Sequence, residues 1–513
     1  MRARNRVMKN SVVMYLKMIL SLFVTFFTTR IILKALGITD FGIYNLVAGA
    51  VSLLGFFNGS MSNTVQRYLA VGLGKGEECY LRQAFCISLT LNLVVAIFLL
   101  IFLELFGLWG FSSFFNIPAD KEIAAFWGYQ LMILITIVST IATPYNASFN
   151  AHEDLALISV IEFGEILLKL VGAFCLMAYN GERLILYCFL LLVIQLVVFF
   201  TKVIYCHCHY FETRRPALFK GLDKDLLKDM LPFLGWNALE SCSWLGKNQG
   251  IAVIMNSFYG TIVNAAYGVA SQINGPLVLC SSTLLNSIRP QIYKSAGERN
   301  YGRMINLSII ASKFAFLVLL CVLQPFVFIL PWILKVWLVT VPEYSYGFSL
   351  LLISVTIISY LSIGMNIAVQ ANGNVKIYQI VASIIILISL PIGYMVYSVS
   401  DNVYMFLIIM VVVECISVIC KYFVASRILD IKQALLYTEI VMPCMFCLIL
   451  CCITSYALYG AIEPGENVSL IAVYALTSFI VASVIAFYIG LKGQERQIIK
   501  SIFKSMYNYV SKR

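Results

Sequence analysis

The stretch SVVMYLKMILSLFVTFFTTRIILKAL, Ser11 to Leu36, decides the class of this chain. It follows Arg2, Arg4, Arg6 and Lys9, as the apolar part of a signal peptide follows its basic start. It is about twice as long as such a segment, and no small-x-small cleavage site stands behind it. A run of this length crosses a bilayer as one helix, because in hydrocarbon each backbone N–H and C=O must be satisfied within its own segment. We read it as a retained first helix whose start lies in the cytoplasm.

Similar runs fill the rest of the chain, at roughly 41–70, 82–107, 123–147, 157–180, 183–206, 227–257, 261–288, 303–330, 345–370, 376–399, 402–426, 437–460 and 467–491. Hydrophobic residues make up 61% of the 513 positions and charged residues 12%, too few to coat a soluble surface of this size. The expected class is an all-α polytopic membrane protein with about fourteen spans.

With the N-terminus inside, the basic residues sort themselves. About 26 Lys and Arg fall on inner segments, among them Lys75, Lys202, Arg214, Arg215, Lys220, Lys376, Lys421, Lys500 and Arg513. About five fall on outer ends: Arg30, Lys34, Lys121, Arg183 and Lys335. Outer loops carry acids instead, such as Asp40, Glu182 and Glu466. The net charge of +11 is therefore a topology signal and gives no reason to expect nucleic acid. Both termini are expected inside, in a bacterial cytoplasmic (inner) membrane.

The 15 cysteines lie mostly in apolar runs and form no extracellular framework, so reduced thiols are expected. Cys206-His207-Cys208-His209 has metal-like spacing, but neighbours on one helix point apart and cannot close a tetrahedron. No metal or organic cofactor is expected.

The longest polar stretch begins at His207 and divides the chain. The expected organisation is an N-terminal lobe at 1–206, a cytoplasmic linker at 207–226, a C-terminal lobe at 227–430, and two further helices with a basic tail at 431–513. An internal repeat supports two lobes of six spans. A shift of about 223 residues lays Tyr44 on Tyr267, Asn63 on Asn286 and Gly74 on Gly297. Six spans separate the copies, so they enter the membrane in the same sense, as a parallel repeat does.

Two segments carry a family pattern: Arg30 to Leu46, RIILKALGITDFGIYNL, and Gly59 to Leu69, GSMSNTVQRYL, followed by the turn at Gly74–Glu77. They resemble the polysaccharide flippases of the multidrug/oligosaccharidyl-lipid/polysaccharide exporter superfamily. The resemblance implies a V-shaped bundle of two six-helix lobes plus two C-terminal helices. It also implies alternating access, in which a polyprenyl-diphosphate-linked oligosaccharide passes from the inner to the outer leaflet without nucleotide hydrolysis. In related lipid II flippases the last two helices form a groove for the polyprenyl tail; by position those are 437–460 and 467–491 here.

Charges inside the spans are costly and therefore informative. Arg30 and Lys34, one turn apart on the first span, are either a pair snorkelling to outer headgroups or a cationic face toward a cavity; Lys17 lies on roughly the opposite face and is expected to snorkel. On the fifth span Glu162, Glu165 and Lys169 share one face, with Glu165 and Lys169 in the favourable i,i+4 order. That pattern allows a structural bridge or a switchable pair. The seventh span carries a polar stripe of Asn237, Glu240, Ser243, Trp244 and Lys247. Glu414, in the twelfth span, is either a neutral hydrogen-bonding acid or a coupling-ion site. Asn63, Arg67, Asn286 and Arg289 end the second and eighth spans, as interface anchors or as a basic mouth for diphosphate headgroups. Gly275-Pro276 is the candidate hinge.

Arg30, Lys34, Lys169 and Lys247 outnumber the acids left over, which favours an anionic headgroup. The expected role is a flippase for cell-surface polysaccharide such as lipopolysaccharide or capsule. It would act as a monomer, alongside a polysaccharide polymerase or glycosyltransferase, with coupling to proton, sodium or membrane potential left open. The alternative is a cation-coupled drug or toxic-compound antiporter of the same superfamily, which calls for an acidic cavity. A membrane-embedded glycosyltransferase or polymerase needs a large outer loop or carboxylate and His clusters, and this chain has only three His, all placed inside.

Overall fold

The structure is a computed structural model and describes residues 2–52, 55–113, 117–214, 216, 218–219, 221–338, 341–493 and 495–497. The basic residues Arg215, Lys220, Lys500, Lys504, Lys512 and Arg513 of the expected linker and tail lie outside the described residues, as do the side chains of Arg2, Arg4, Arg6 and Lys9.

The apolar runs are helices throughout: the chain is about 90% helical, with no strand among the described residues. In order they are α1 (Arg2–Ser52), α2 (Phe56–Lys75), α3 (Glu78–Ser113), α4 (Glu122–Ala151), α5 (Leu155–Ala178), α6 (Arg183–His209), α7 (Lys224–Gly297), α8 (Tyr301–Trp337), α9 (Ser345–Tyr360), α10 (Ile363–Asn372), α11 (Lys376–Val399), α12 (Met405–Leu429), α13 (Gln433–Leu436), α14 (Met442–Ile462) and α15 (Val468–Ile485). Ten are long and apolar enough to cross a membrane by length and composition, among the described residues. With α1 and α7 each divided at an internal break, the helices accommodate the expected count of about fourteen spans.

Both breaks are made by glycine. Gly37 interrupts α1 at φ 79° and ψ 172°, and Gly260 interrupts α7 at φ 75° and ψ −167°. A side chain at such torsions meets its own backbone, so glycine is the residue that allows the chain to turn there. The two breaks are separated by the same shift that superposes Tyr44 on Tyr267. The repeat is thus present in the backbone as well as in the sequence.

Contacts divide the chain into two units, Arg2–Ser241 and a second beginning at Cys242. The division falls inside α7 because its first turns pack on α2. Phe233 meets the ring of Tyr68 edge-on at 5.7 Å, and Ser60 Oγ donates to the Asn237 carbonyl at 3.3 Å.

In the first unit α4 packs on α6 and α2, and α1 packs on α5. Its core joins Ile43, Val47 and Val51, beyond the Gly37 break, to Ala125, Tyr129 and Leu184. In the second unit α12 packs on α11 and α9, and α8 on α10. Its core repeats the plan, joining Val263, Ala266 and Ala270, beyond the Gly260 break, to Phe348, Phe406 and Leu407.

One polar tie is repeated as well. Thr140 Oγ1 donates to Asn58 Oδ1 at 2.9 Å in the first unit, and Thr356 Oγ1 donates to Asn274 Oδ1 at 2.9 Å in the second. Such bonds hold helices together where apolar burial gives little preference between neighbours.

The final helices α14 and α15 belong to the second unit and lie against α8. Ser455 donates to the Gln324 carbonyl, and Phe328 meets Tyr459 at a tilt and Tyr474 edge-on. Past α15 the chain turns back to α8, where Lys313 Nζ holds both carboxylate oxygens of Glu495 at 2.8 and 3.0 Å.

Candidate functional site: buried lysines in each unit

The packing of α1 on α5 settles the place of Lys17. Its ammonium bonds Glu162 Oε2 at 2.5 Å, where the sequence leads one to expect snorkelling. The reason is geometric: the face of α1 opposite Arg30 meets α5, so Lys17 finds a carboxylate before it finds water. One turn further along α5, Lys169 bonds Glu165 at 2.6 Å. Lys202 on α6 completes the group; it is 6% exposed, and the charges acting on it are Glu162, Glu165 and Lys17. The group thus holds three ammonium groups and two carboxylates, each carboxylate bonded to a lysine other than Lys202.

The second unit holds a smaller version. Lys247 on α7 is 9% exposed, and its charged neighbours are Glu414 and Lys421 on α12. Lys421 Nζ lies 3.9 Å from Glu414 Oε1, so the acid already has a cation two turns along its own helix. Here two ammonium groups share one carboxylate. Glu240, on the same polar stripe of α7, is half-buried.

Other candidate residues fall elsewhere. Arg30 and Lys34 are exposed on α1. Arg67 is buried, with its guanidinium 4.6 Å from the Tyr68 ring and 4.7 Å from the Phe233 ring, and Asn63 one turn earlier is half-buried. In the second unit Asn286 and Arg289 are half-buried near the end of α7. Gly275 and Pro276 are exposed and lie in helical backbone, whereas the break in that helix is at Gly260.

The Cys206–His209 string is the last turn of α6. His207 and His209 each place Nδ1 against a carbonyl of their own helix, Val203 and Tyr205, and no metal-binding group occurs among the described residues. The third histidine, His152, instead meets the fully buried Glu212 at 2.7 Å and stacks on Tyr210, closing the end of the first unit.

A cavity of about 170 Å³ lies beside the end of α8, lined in part by Phe328, Trp332, Lys335, Tyr459 and Glu466. It is smaller than the roughly 300–1,000 Å³ of ordinary ligand pockets and holds no part of either lysine group. At its rim Lys335 bonds Glu466 at 2.9 Å and holds that carboxyl below the usual carboxylate range.

Two features escaped the sequence reading. By sequence Lys202 reads only as an inner basic residue, and nothing there pairs Lys313 with Glu495. The signal was available for both lysines: each is a lone cation within an apolar run, about two turns or more from the helix end, where a charge needs a partner or a function.

Together these observations define the class: a helical fold of two repeated units, with helices long and apolar enough to cross a membrane and charged groups buried inside each unit. Solved structures agree. The chain is similar to an outward-facing multidrug resistance MATE family transporter of the MOP superfamily, at TM-score 0.71 and 13% identity over 83% of this chain and 96% of that one. It is similar to a MATE structure in the bent conformation at TM-score 0.67 and 14% identity, covering 86% and 99%. A third match is a MOP superfamily transporter from Pyrococcus furiosus, at TM-score 0.67 and 13% identity over 83% and 96%; it is described as having a binding pocket of reverse polarity that suggests a different function. Neither a family model nor a curated protein matches the sequence. At such identities the likeness shows the fold alone.

Proposed function

We propose that this protein flips a polyprenyl-diphosphate-linked oligosaccharide from the inner to the outer leaflet of a bacterial cytoplasmic membrane, for surface polysaccharide assembly. The observation that carries the reading is Lys247: a buried ammonium whose neighbouring carboxylate is already taken by Lys421. A buried charge without a full counter-charge is costly, and an anionic cargo supplies what is missing. Arg30, Lys34 and Lys169 are the further cations assigned to the phosphates. Asn, Ser, Tyr and Trp side chains on the same helices suit the sugar. The polyprenyl tail is assigned to the apolar surface of α14 and α15, where Phe446, Ile449, Ile453, Leu476 and Phe479 are exposed. Outward movement of negative charge is downhill in an inside-negative cell by about 2.3 kcal/mol per charge per 100 mV.

The test is flipping in proteoliposomes. Arg30→Ala and Lys247→Ala should slow transport of the lipid-linked sugar, and wild-type rates in both at equal expression would remove the anionic site. Deletion of the gene should trap one lipid-linked glycan on the inner leaflet, which identifies the cargo.

The second reading is a drug antiporter, favoured by the multidrug transporters among the similar structures. A cationic drug would have to enter groups that already hold excess lysine. Efflux of cationic dyes from expressing cells, lost on Glu414→Gln, would support that reading against ours.

A further inference from the structure

The three-lysine group of the first unit goes unused in the function as stated, apart from Lys169. Its arrangement is layered. The paired side chains are partly open, at 28% for Lys17, 35% for Glu162, 20% for Glu165 and 40% for Lys169. Lys202, on α6, which packs on α5, is 6% exposed. The acids nearest to it each hold a short bond to another lysine, and Lys202 itself makes no ion pair among the described residues. The sulfur nearby is no counter-charge either, since the Cys206 thiol points to the Tyr145 carbonyl. What remains is one net positive charge, among partly exposed ion pairs that can change partners.

We infer that Lys202 is the floor of a phosphate-binding subsite in the first unit, occupied by one phosphate of a lipid-linked diphosphate. This rests on the anionic cargo proposed above and adds the residue that binds it within α6. On binding, a phosphate oxygen accepts from Lys202. A second oxygen competes with Glu165 for Lys169, because both are held by the same kind of charge-assisted bond. The subsite thus needs no preformed void: the incoming anion substitutes for a carboxylate already in place.

This assignment separates from a structural role by its effect on the unliganded protein. Removing one partner of a matched buried pair destabilises, because the other charge is left alone. Removing an excess cation leaves no orphan. Lys202→Gln should therefore unfold at the same temperature as wild type, or higher, while binding phosphate more weakly.

The experiment uses the full chain in phosphatidylcholine nanodiscs, with farnesyl diphosphate as probe and farnesol as the uncharged control, read by calorimetry and by thermal unfolding. Lys202→Gln should weaken farnesyl diphosphate binding about tenfold, the scale of one lost charged hydrogen bond, and leave farnesol unaffected. Lys202→Arg should retain binding. Glu165→Gln, which frees Lys169, should tighten it. Undiminished binding in Lys202→Gln alongside weakened binding in Lys247→Gln would overturn the subsite and leave the proposed function standing. Equal binding of farnesol and farnesyl diphosphate by wild type would instead sink the anionic cargo itself. A lower unfolding temperature with binding retained in Lys202→Gln would make Lys202 structural. An equal effect from phosphatidylglycerol would assign the phosphate to bilayer lipid and overturn its assignment to cargo.

Discussion

Lys313 and Lys247 are both lysines buried in apolar helices, yet their surroundings differ. Lys313 is 1% exposed and chelated by both oxygens of Glu495, whose Oε2 also accepts from the Lys492 backbone N–H at 2.7 Å. Charge, geometry and hydrogen bonds are all satisfied. Lys247 has an acid in its vicinity but shares it with Lys421. The first arrangement fastens the end of the chain to α8. The second leaves a charge for which the protein alone provides no full answer. Burial by itself says nothing of function; what separates the two is whether the counter-charge is complete.

The largest effect should come from breaking the matched pair. Lys313→Met should destabilise by about 3–5 kcal/mol, the cost of leaving Glu495 buried alone, seen as a large drop in unfolding temperature. Lys313→Met with Glu495→Met should recover most of that loss, since a well-packed apolar pair replaces a buried ion pair at little cost. Lys247→Gln should do the opposite: unfolding temperature held within about 1 °C, flipping slowed about tenfold or more. A fall in its stability like that of Lys313→Met would erase the distinction. Glu414→Gln, which releases Lys421, should tighten farnesyl diphosphate binding by a few-fold. The smallest effect belongs to the exposed pair Lys335–Glu466. Lys335→Ala should leave the unfolding temperature unchanged and let the Glu466 pKa, followed by carbon-13 resonance, rise toward its ordinary value. Above that pKa the pair is intact; as pH falls through it, the attraction is lost.

The spans were legible because each is governed by a local rule: backbone groups in hydrocarbon must bond within their own helix. The Glu165–Lys169 bond was legible for the same reason, since both ends sit on one helix at fixed spacing. Lys17–Glu162 and Lys313–Glu495 were not, because their partners lie 145 and 182 residues apart and meet only through helix packing. Periodicity gives the face of Lys17 but not which helix will cover it. The break in α7 was legible too: it falls at Gly260, between the spans read at 227–257 and 261–288, where a positive φ turns the chain, while the candidate hinge Gly275-Pro276 lies in helical backbone. Proline removes one hydrogen bond and leaves the course of the helix free to continue; a left-handed glycine redirects it.

That pair of glycines has a consequence of its own. No other atom lies within 4 Å of a methyl group built on Gly37 or Gly260, so neither is small for lack of room. Their identity is imposed by torsion alone, and side chains around them can drift without disturbing it. Kinship between the two halves is therefore stored as a pair of dihedral angles, a record that outlasts the amino-acid letters on either side.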